Sequence, residues 1–249
     1  MLYRVEGIVI RSMDYGEGNK IVVLLSREAG KISVMARGAK KIKSRHTAAA
    51  QMFTHGEYIF YKGASSQMGT LNHGEILASH HALREHLRSS AYAAYIAEMT
   101  DRLVADHEGG HLFEQLAGAL DAMEEGKDPQ IIAHVFEMLM LKEAGYAPSF
   151  DACASCGGEI AEPAFSVSGG GVLCSRCKPS AKDARLLDAR TFRLLRAIRH
   201  ADLRKLGRIS VSAESKQQIK EIMRQYLDYH TGINWKSRHV IDQMEKYQL

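Results

Sequence analysis

Nothing in this sequence stays apolar for the roughly 18 residues that a membrane-spanning helix requires. The opening Met1-Leu2-Tyr3-Arg4-Val5-Glu6-Gly7 puts charges where the apolar segment of a signal peptide would begin, so export is not expected. The Walker phosphate loop, the Gly-x-Gly-x-x-Gly dinucleotide turn and the Gly-x-Ser-x-Gly nucleophile elbow are all missing. No nucleotide site is therefore expected, and the carboxylates, though plentiful, form no recognisable acid–base pair. Internal repeats and low-complexity linkers are absent as well. These gaps favour a binding protein over an enzyme.

One literal catalytic match survives, His107-Glu108-Gly109-Gly110-His111. A zincin needs both histidines one turn apart on a single helical face, with the glutamate as base. Two adjacent glycines between them would each cost about 1 kcal/mol in a helix interior. The flanking periodicity ends one helix near Asp106 and starts another near His111. The match reads as a loop between helices.

Cysteine is scarce, but its four occurrences are paired: Cys153-Ala-Ser-Cys156 and, after seventeen intervening residues, Cys174-Ser-Arg-Cys177. Two Cys-x-x-Cys knuckles at this separation can aim four thiolates at one point, the donor set of a structural zinc site. Gly157-Gly158 relaxes the chain after the first knuckle, and Ser168-Gly169-Gly170-Gly171 can turn a hairpin before the second. One Zn²⁺ is expected. With four protein ligands it keeps no open position for water, so its role is structural and a metallohydrolase is disfavoured. Thiols committed to a metal suit a reducing cytoplasm.

A net charge of +4 hides a stronger pattern. Residues 1–80 hold 11 Lys/Arg against 6 Asp/Glu, residues 81–177 hold 6 against 15, and residues 178–208 hold 10 against 3. Two basic blocks bracket an acidic middle, and nucleic acid is the natural reader of such blocks.

The first 78 residues carry strand patterns at 3–11, 20–25, 31–36, 57–61 and 69–77, separated by Gly-containing breaks. Five short strands in so little chain suit a small closed barrel, of OB type by preference and SH3-like otherwise. After Ser79 the period becomes helical: one helix from Leu83 to about Asp106, then 112–125, 129–144, 188–200, 215–230 and 236–246. Pro129 opens its helix where a missing N–H costs nothing. In the 215–230 helix, Ile219, Ile222, Met223, Tyr226, Leu227 and His230 form a core stripe. The expected class is α+β, with an OB-fold barrel over 1–79 and a helical domain over 80–249. A zinc module interrupts that domain at about 150–178.

The densest positive feature is Arg37-Gly38-Ala39-Lys40-Lys41-Ile42-Lys43-Ser44-Arg45, five cations in nine residues with no acid among them. A mobile loop of this kind at a barrel's edge tracks phosphates and releases counterions without reading bases. Tyr3, Tyr15, Phe53, Tyr58, Phe60 and Tyr61 offer faces for stacking bases, though half of them must form core. Arg190, Arg193, Arg196 and Arg199 recur every three residues as a second basic ridge. It is either a DNA or acidic-peptide surface or a solvated helix face, with Phe192, Leu195 and Ile198 on the buried side.

Together these features resemble the RecO family of bacterial recombination mediators. The match lies in the Ala36-Arg37-Gly38-Ala39-Lys40-Lys41 loop, in Gly7-Ile8-Val9-Ile10 and Tyr15-Gly16-Glu17-Gly18-Asn19-Lys20, and most specifically in Gly145-Tyr146-Ala147-Pro148-Ser149-Phe150-Asp151 ahead of Cys153. The resemblance implies an OB-fold that binds single- and double-stranded DNA and anneals complementary strands. It also implies work with RecR to load RecA onto DNA coated by single-strand-binding protein (SSB), whose acidic C-terminal tail a pocket in the helical domain recognises. It assigns Arg37, Lys40, Lys41, Lys43 and Arg45 to DNA, and Cys153, Cys156, Cys174 and Cys177 to zinc. The competing reading is a zinc-ribbon factor associated with RNA or transcription, which would share the basic loop and the knuckles.

Overall fold

The computed structural model describes residues 1–207 and 209–247. Five strands come first: β1 (Leu2–Tyr15), β2 (Asn19–Ser26), β3 (Gly30–Ala36), β4 (His55–Tyr61) and β5 (Gly69–Ala78). Helices α1 (His81–Glu85), α2 (Leu87–Leu103), α3 (Phe113–Glu124) and α4 (Pro129–Glu143) follow. Three short strands, β6 (Ala164–Ser166), β7 (Gly171–Leu173) and β8 (Arg185–Leu186), precede α5 (Ala189–Arg199), α6 (Ala213–Thr231) and α7 (Lys236–Tyr247). The chain forms two compact units, one of Met1–Pro129, Leu203–Lys205 and Trp235–Leu249, the other of Gln130–Asp202 and Leu206–Asn234.

In the first unit the strands close a barrel in the order β1-β2-β3-β5-β4, with β3 and β5 parallel and the remaining pairs antiparallel, the arrangement of an OB barrel. Strict alternation in β3 sends Ile32, Val34 and Ala36 inward beside Val5, Val9, Val22, Leu24, Tyr58, Phe60 and Leu71. β1 and β2 instead read as continuous apolar runs because Ile8, Ile10, Val23 and Leu25 on the other face are buried too, where α2 and α3 pack on β1. The expected single helix after the barrel is broken at His86, whose extended backbone separates α1 from α2.

The chain's end returns to this unit, where α7 packs on α2. Glu98 of α2 caps α7, accepting from the backbone N–H groups of Lys236 (3.0 Å) and Ser237 (2.8 Å). Buried Trp235 stands edge-on to Tyr95 at 6.2 Å. Those two donors sit at a helix N-terminus, where a carboxylate is most favourable.

In the second unit α4 is buried nearly all round, and two of its three buried polar side chains, His134 and Glu137, pair at 2.7 Å, the third being Gln130. The same unit holds the β7-β6-β8 sheet and the packed pair α5 and α6. Ile219, Met223, Tyr226 and Leu227 of α6 are buried as the stripe predicts, while Ile222 and His230 are half-buried at its margin.

Candidate nucleic-acid interface and metal centre

The segment between β3 and β4, read from the sequence as a mobile loop, is a run of hydrogen-bonded turns. Lys40 N–H donates to the Gly18 carbonyl at 3.1 Å and Gly38 N–H to Asn19 Oδ1 at 2.9 Å, so the basic run is tied to the β1–β2 turn. Thr47 Oγ1 donates to the carbonyls of Ala39 (2.9 Å) and Lys41 (3.2 Å). Further along, Tyr58 O–H reaches up from the barrel core to the carbonyls of Ala49 and Thr54. Burial pushes that phenol well above the usual tyrosine range, which keeps it a neutral donor.

This fixed path separates the five cations. Lys40 pairs with Asp14 at 2.9 Å, and its hydrogen bond, with Lys20 beyond, holds the Asp14 carboxyl below the ordinary range. Arg37, Lys41, Lys43 and Arg45 line an open cleft of about 350 Å³ with Gly38, Ser44 and His46. No acid is among the lining residues, so the cleft is a concentrated positive field at the barrel surface. His46, though part of the lining, is itself buried, and desolvation, with Arg45 and His73 nearby, holds its imidazole below the ordinary value. The aromatics divide as closure demands: Phe53, Tyr58 and Phe60 are core, while Tyr3, Tyr15 and Tyr61 are exposed.

The second ridge is quieter than its sequence. Thr191, Leu195 and Ile198 form the buried side of α5; Phe192 is half-exposed, with the Arg196 guanidinium over its ring at 5.8 Å. Asp151 accepts from Arg199 at 2.8 Å and faces Arg196 Nε at 3.4 Å and His200 Nε2 at 3.6 Å. Arg196 and Arg199 therefore have an ion-pair partner within their own unit, while Arg190 and Arg193 are exposed, Arg190 with the Asp188 and Glu214 carboxyls in its field. Sequence reasoning passed over Asp14 and Asp151 as counter-ions. The signal available was an acid inside the Phe150-Asp151-Ala152-Cys153 segment, whose course only the fold reveals.

All four candidate zinc ligands converge. The sulfurs of Cys153, Cys156, Cys174 and Cys177 lie within 4.8 Å of one another, the only such cluster of potential ligands among the described residues. Cys156 and Cys174 sulfurs are 3.8 Å apart, the edge of a tetrahedron whose metal–sulfur bonds are about 2.3 Å. Two tight turns present them. Gly157 N–H returns to the Cys153 carbonyl at 2.8 Å, with Gly157 at φ 69°, and Cys177 N–H returns to that of Cys174 at 3.1 Å. Burial pushes the Cys153 thiol up, but N–H groups of Cys174, Cys156 and Ser155 outweigh it and bring the value down to about 6. At Cys177 the Ser155 hydroxyl pulls down, yet the neighbouring thiols prevail and raise it to about 11. Four thiolates this close repel strongly, and a central dication is what lets all four ionise. The donor set, geometry and enclosing small residues Ala154, Ala181 and Ala184 fit Zn²⁺.

The segment of the His-Glu-x-x-His match is not helical. α2 ends at Leu103, His107 takes φ 64°, Gly109 φ 80°, and a short 3₁₀ turn spans Gly110–Leu112. Its backbone docks on the start of β3: Lys31 N–H donates to the Glu108 carbonyl and His107 N–H to that of Lys31, both at 2.8 Å. A side chain at Gly110 would meet the Arg27 carbonyl oxygen at 2.7 Å, so the glycine serves close backbone approach.

The comparisons with known proteins match this layout. Residues 1–80 fit the model described as recombination protein O N terminal, and residues 84–239 that described as recombination protein O C terminal. A protein from Halalkalibacterium halodurans named DNA repair protein RecO is 42% identical over 246 residues, 98% of this chain and 96% of its own. One of the same name from Bacillus cytotoxicus is 43% identical over 250 residues, and one from Bacillus cereus is 42% identical, each along the full length of both chains. With the barrel, the helical remainder and the four-cysteine cluster accounted for from end to end, the chain belongs to the RecO family of DNA repair and recombination proteins.

Proposed function

We propose that the protein is a non-enzymatic recombination mediator whose barrel cleft holds DNA by its phosphates. The observation that carries this reading is the acid-free cleft of Arg37, Lys41, Lys43 and Arg45 on the barrel of a RecO-family chain. Each phosphate neutralised there releases counterions and needs no particular base, so single- and double-stranded DNA both bind. Holding two complementary strands on one cationic surface lowers their repulsion and raises their local concentration, which is enough for annealing. Lys40 contributes less than its neighbours because Asp14 already neutralises it. Arg190 and Arg193 of α5 add a weaker second contact, with Arg196 and Arg199 engaged by Asp151.

The family relationship supports RecR as partner, the acidic tail of SSB as a ligand of the helical domain, and RecA loading on SSB-coated strands as the outcome. Cys153, Cys156, Cys174 and Cys177 hold one Zn²⁺, which crosslinks the two knuckles and supplies no chemistry to DNA.

The test is the salt dependence of single-strand binding by a Lys41→Ala/Lys43→Ala variant, followed by annealing of SSB-coated strands with and without the SSB tail. The slope of log K against log salt should flatten by about 1.5 units for two lost phosphate contacts. Tail removal should abolish stimulation of annealing. An unchanged slope would overturn the cleft assignment.

A further inference from the structure

The turn that carries Lys41 and Lys43 also carries Ile42, at 99% exposure the most exposed large apolar side chain among the described residues. Ser44 N–H closes that turn onto the Lys41 carbonyl at 2.9 Å, placing Ile42 and Lys43 at its two central positions. Thr47 Oγ1 lies 3.2 Å from the same carbonyl, a second tie on the turn at whose tip Ile42 is exposed. Central turn positions favour Gly, Pro, Asn, Asp and Ser, and a β-branched residue brings none of their advantages.

A lone exposed apolar residue is ordinary in itself. This one stands between two lysines on the rim of the cationic cleft, without lining the cleft. The same end of the barrel presents a half-exposed ring, Tyr15, on the β1–β2 turn whose Gly18 and Asn19 hold the basic run in place. Cations that gather phosphate therefore alternate with apolar groups that phosphate cannot satisfy. The apolar part of a nucleic-acid strand is the face of its bases, accessible in a single strand and hidden by stacking in a duplex.

We propose that Ile42, supported by Tyr15, contacts unpaired nucleobases and makes the cleft prefer single strands and unstacked ends over intact duplex. This rests on the cleft being the DNA site and adds a discriminating element to it. The cations meet phosphates of either form, whereas an apolar side chain gains from a base face only where the stack is open.

The experiment compares wild type with Ile42→Ser and Ile42→Leu in the full chain. The probes are an oligothymidylate, an oligomer of abasic sites and a blunt duplex, each titrated across a salt series. For oligothymidylate, affinity of Ile42→Ser should fall about fivefold, as expected for partial burial of one aliphatic side chain, with the salt slope unchanged because no phosphate contact is lost. Binding to the abasic oligomer and the duplex should stay at the wild-type level, and Ile42→Leu should restore oligothymidylate binding. Equal loss on all three probes, or none on oligothymidylate while wild type binds normally, overturns the base contact and leaves the cleft assignment standing. Failure of wild type to bind any probe overturns both.

Discussion

A cation's neighbour decides what it is available for. Lys40 and Lys41 are adjacent in sequence, yet the first faces Asp14 and the second lines the open cleft. Gly110 shows the same dependence with no charge involved, since its missing side chain is what lets the backbone close on the Arg27 carbonyl. Gly110→Ala should therefore destabilise the barrel-containing unit by about 1–3 kcal/mol through overpacking against backbone that cannot yield. His107→Ala, at an exposed loop position with φ 64° whose ring meets Lys62 Nζ at 3.3 Å, should cost no more than about 1 kcal/mol. Urea midpoints of the two variants check this. A large loss for His107→Ala with none for Gly110→Ala would contradict the scaffold role of the loop.

At the scale of elements, one carboxylate clamps a turn of the small β7-β6-β8 sheet. Asp183 accepts from Ser166 Oγ (2.7 Å), Ser168 Oγ (2.9 Å) and Ser168 N–H (2.8 Å), clamping the β6–β7 turn that leads into the second knuckle. Burial pushes this carboxyl's pKa up, but the donors outweigh it and hold it below the usual aspartate value. A pKa depressed on folding means stability that is fully present above the unfolded value, about 3.9, and lost as pH falls through the folded one. Asp183→Asn should cost about 1–3 kcal/mol at neutral pH, in line with charge-assisted hydrogen bonds. The gap from wild type should hold down to about pH 5 and narrow below about pH 4. Denaturant melts of both proteins across that range measure it, and a pH-independent gap would contradict the clamp.

Across the whole molecule, charge and metal lie in different compact units. The cationic cleft belongs to the unit that begins with the barrel, and the four cysteines to the other. Metal removal should therefore act on stability first. Metal analysis should find one zinc per chain, and chelation or Cys174→Ser should lower a thermal transition of the cysteine-bearing unit. The steep salt dependence of DNA binding should persist. Calorimetry alongside a salt titration separates these effects, and loss of DNA binding without loss of stability would assign the metal a direct part in binding.

Local chemistry made much of this protein legible in its sequence. Cys-x-x-Cys knuckles aim thiolates by short-range geometry, alternation reports which strand face is buried, and two glycines argue against a helical zinc motif. Each of these signals acts over a few residues, where backbone stereochemistry is enough. The tertiary structure alone decided which of the clustered cations remain available, which aromatics face outward, and that Ile42 stands in the open. Asp151 and Arg199 are 48 residues apart, and Asp14 meets Lys40 only because the β1–β2 turn holds the basic run. Charge pairing depends on distance in space at a few ångströms, and no pattern along the chain encodes that distance until the barrel closes and the helices pack.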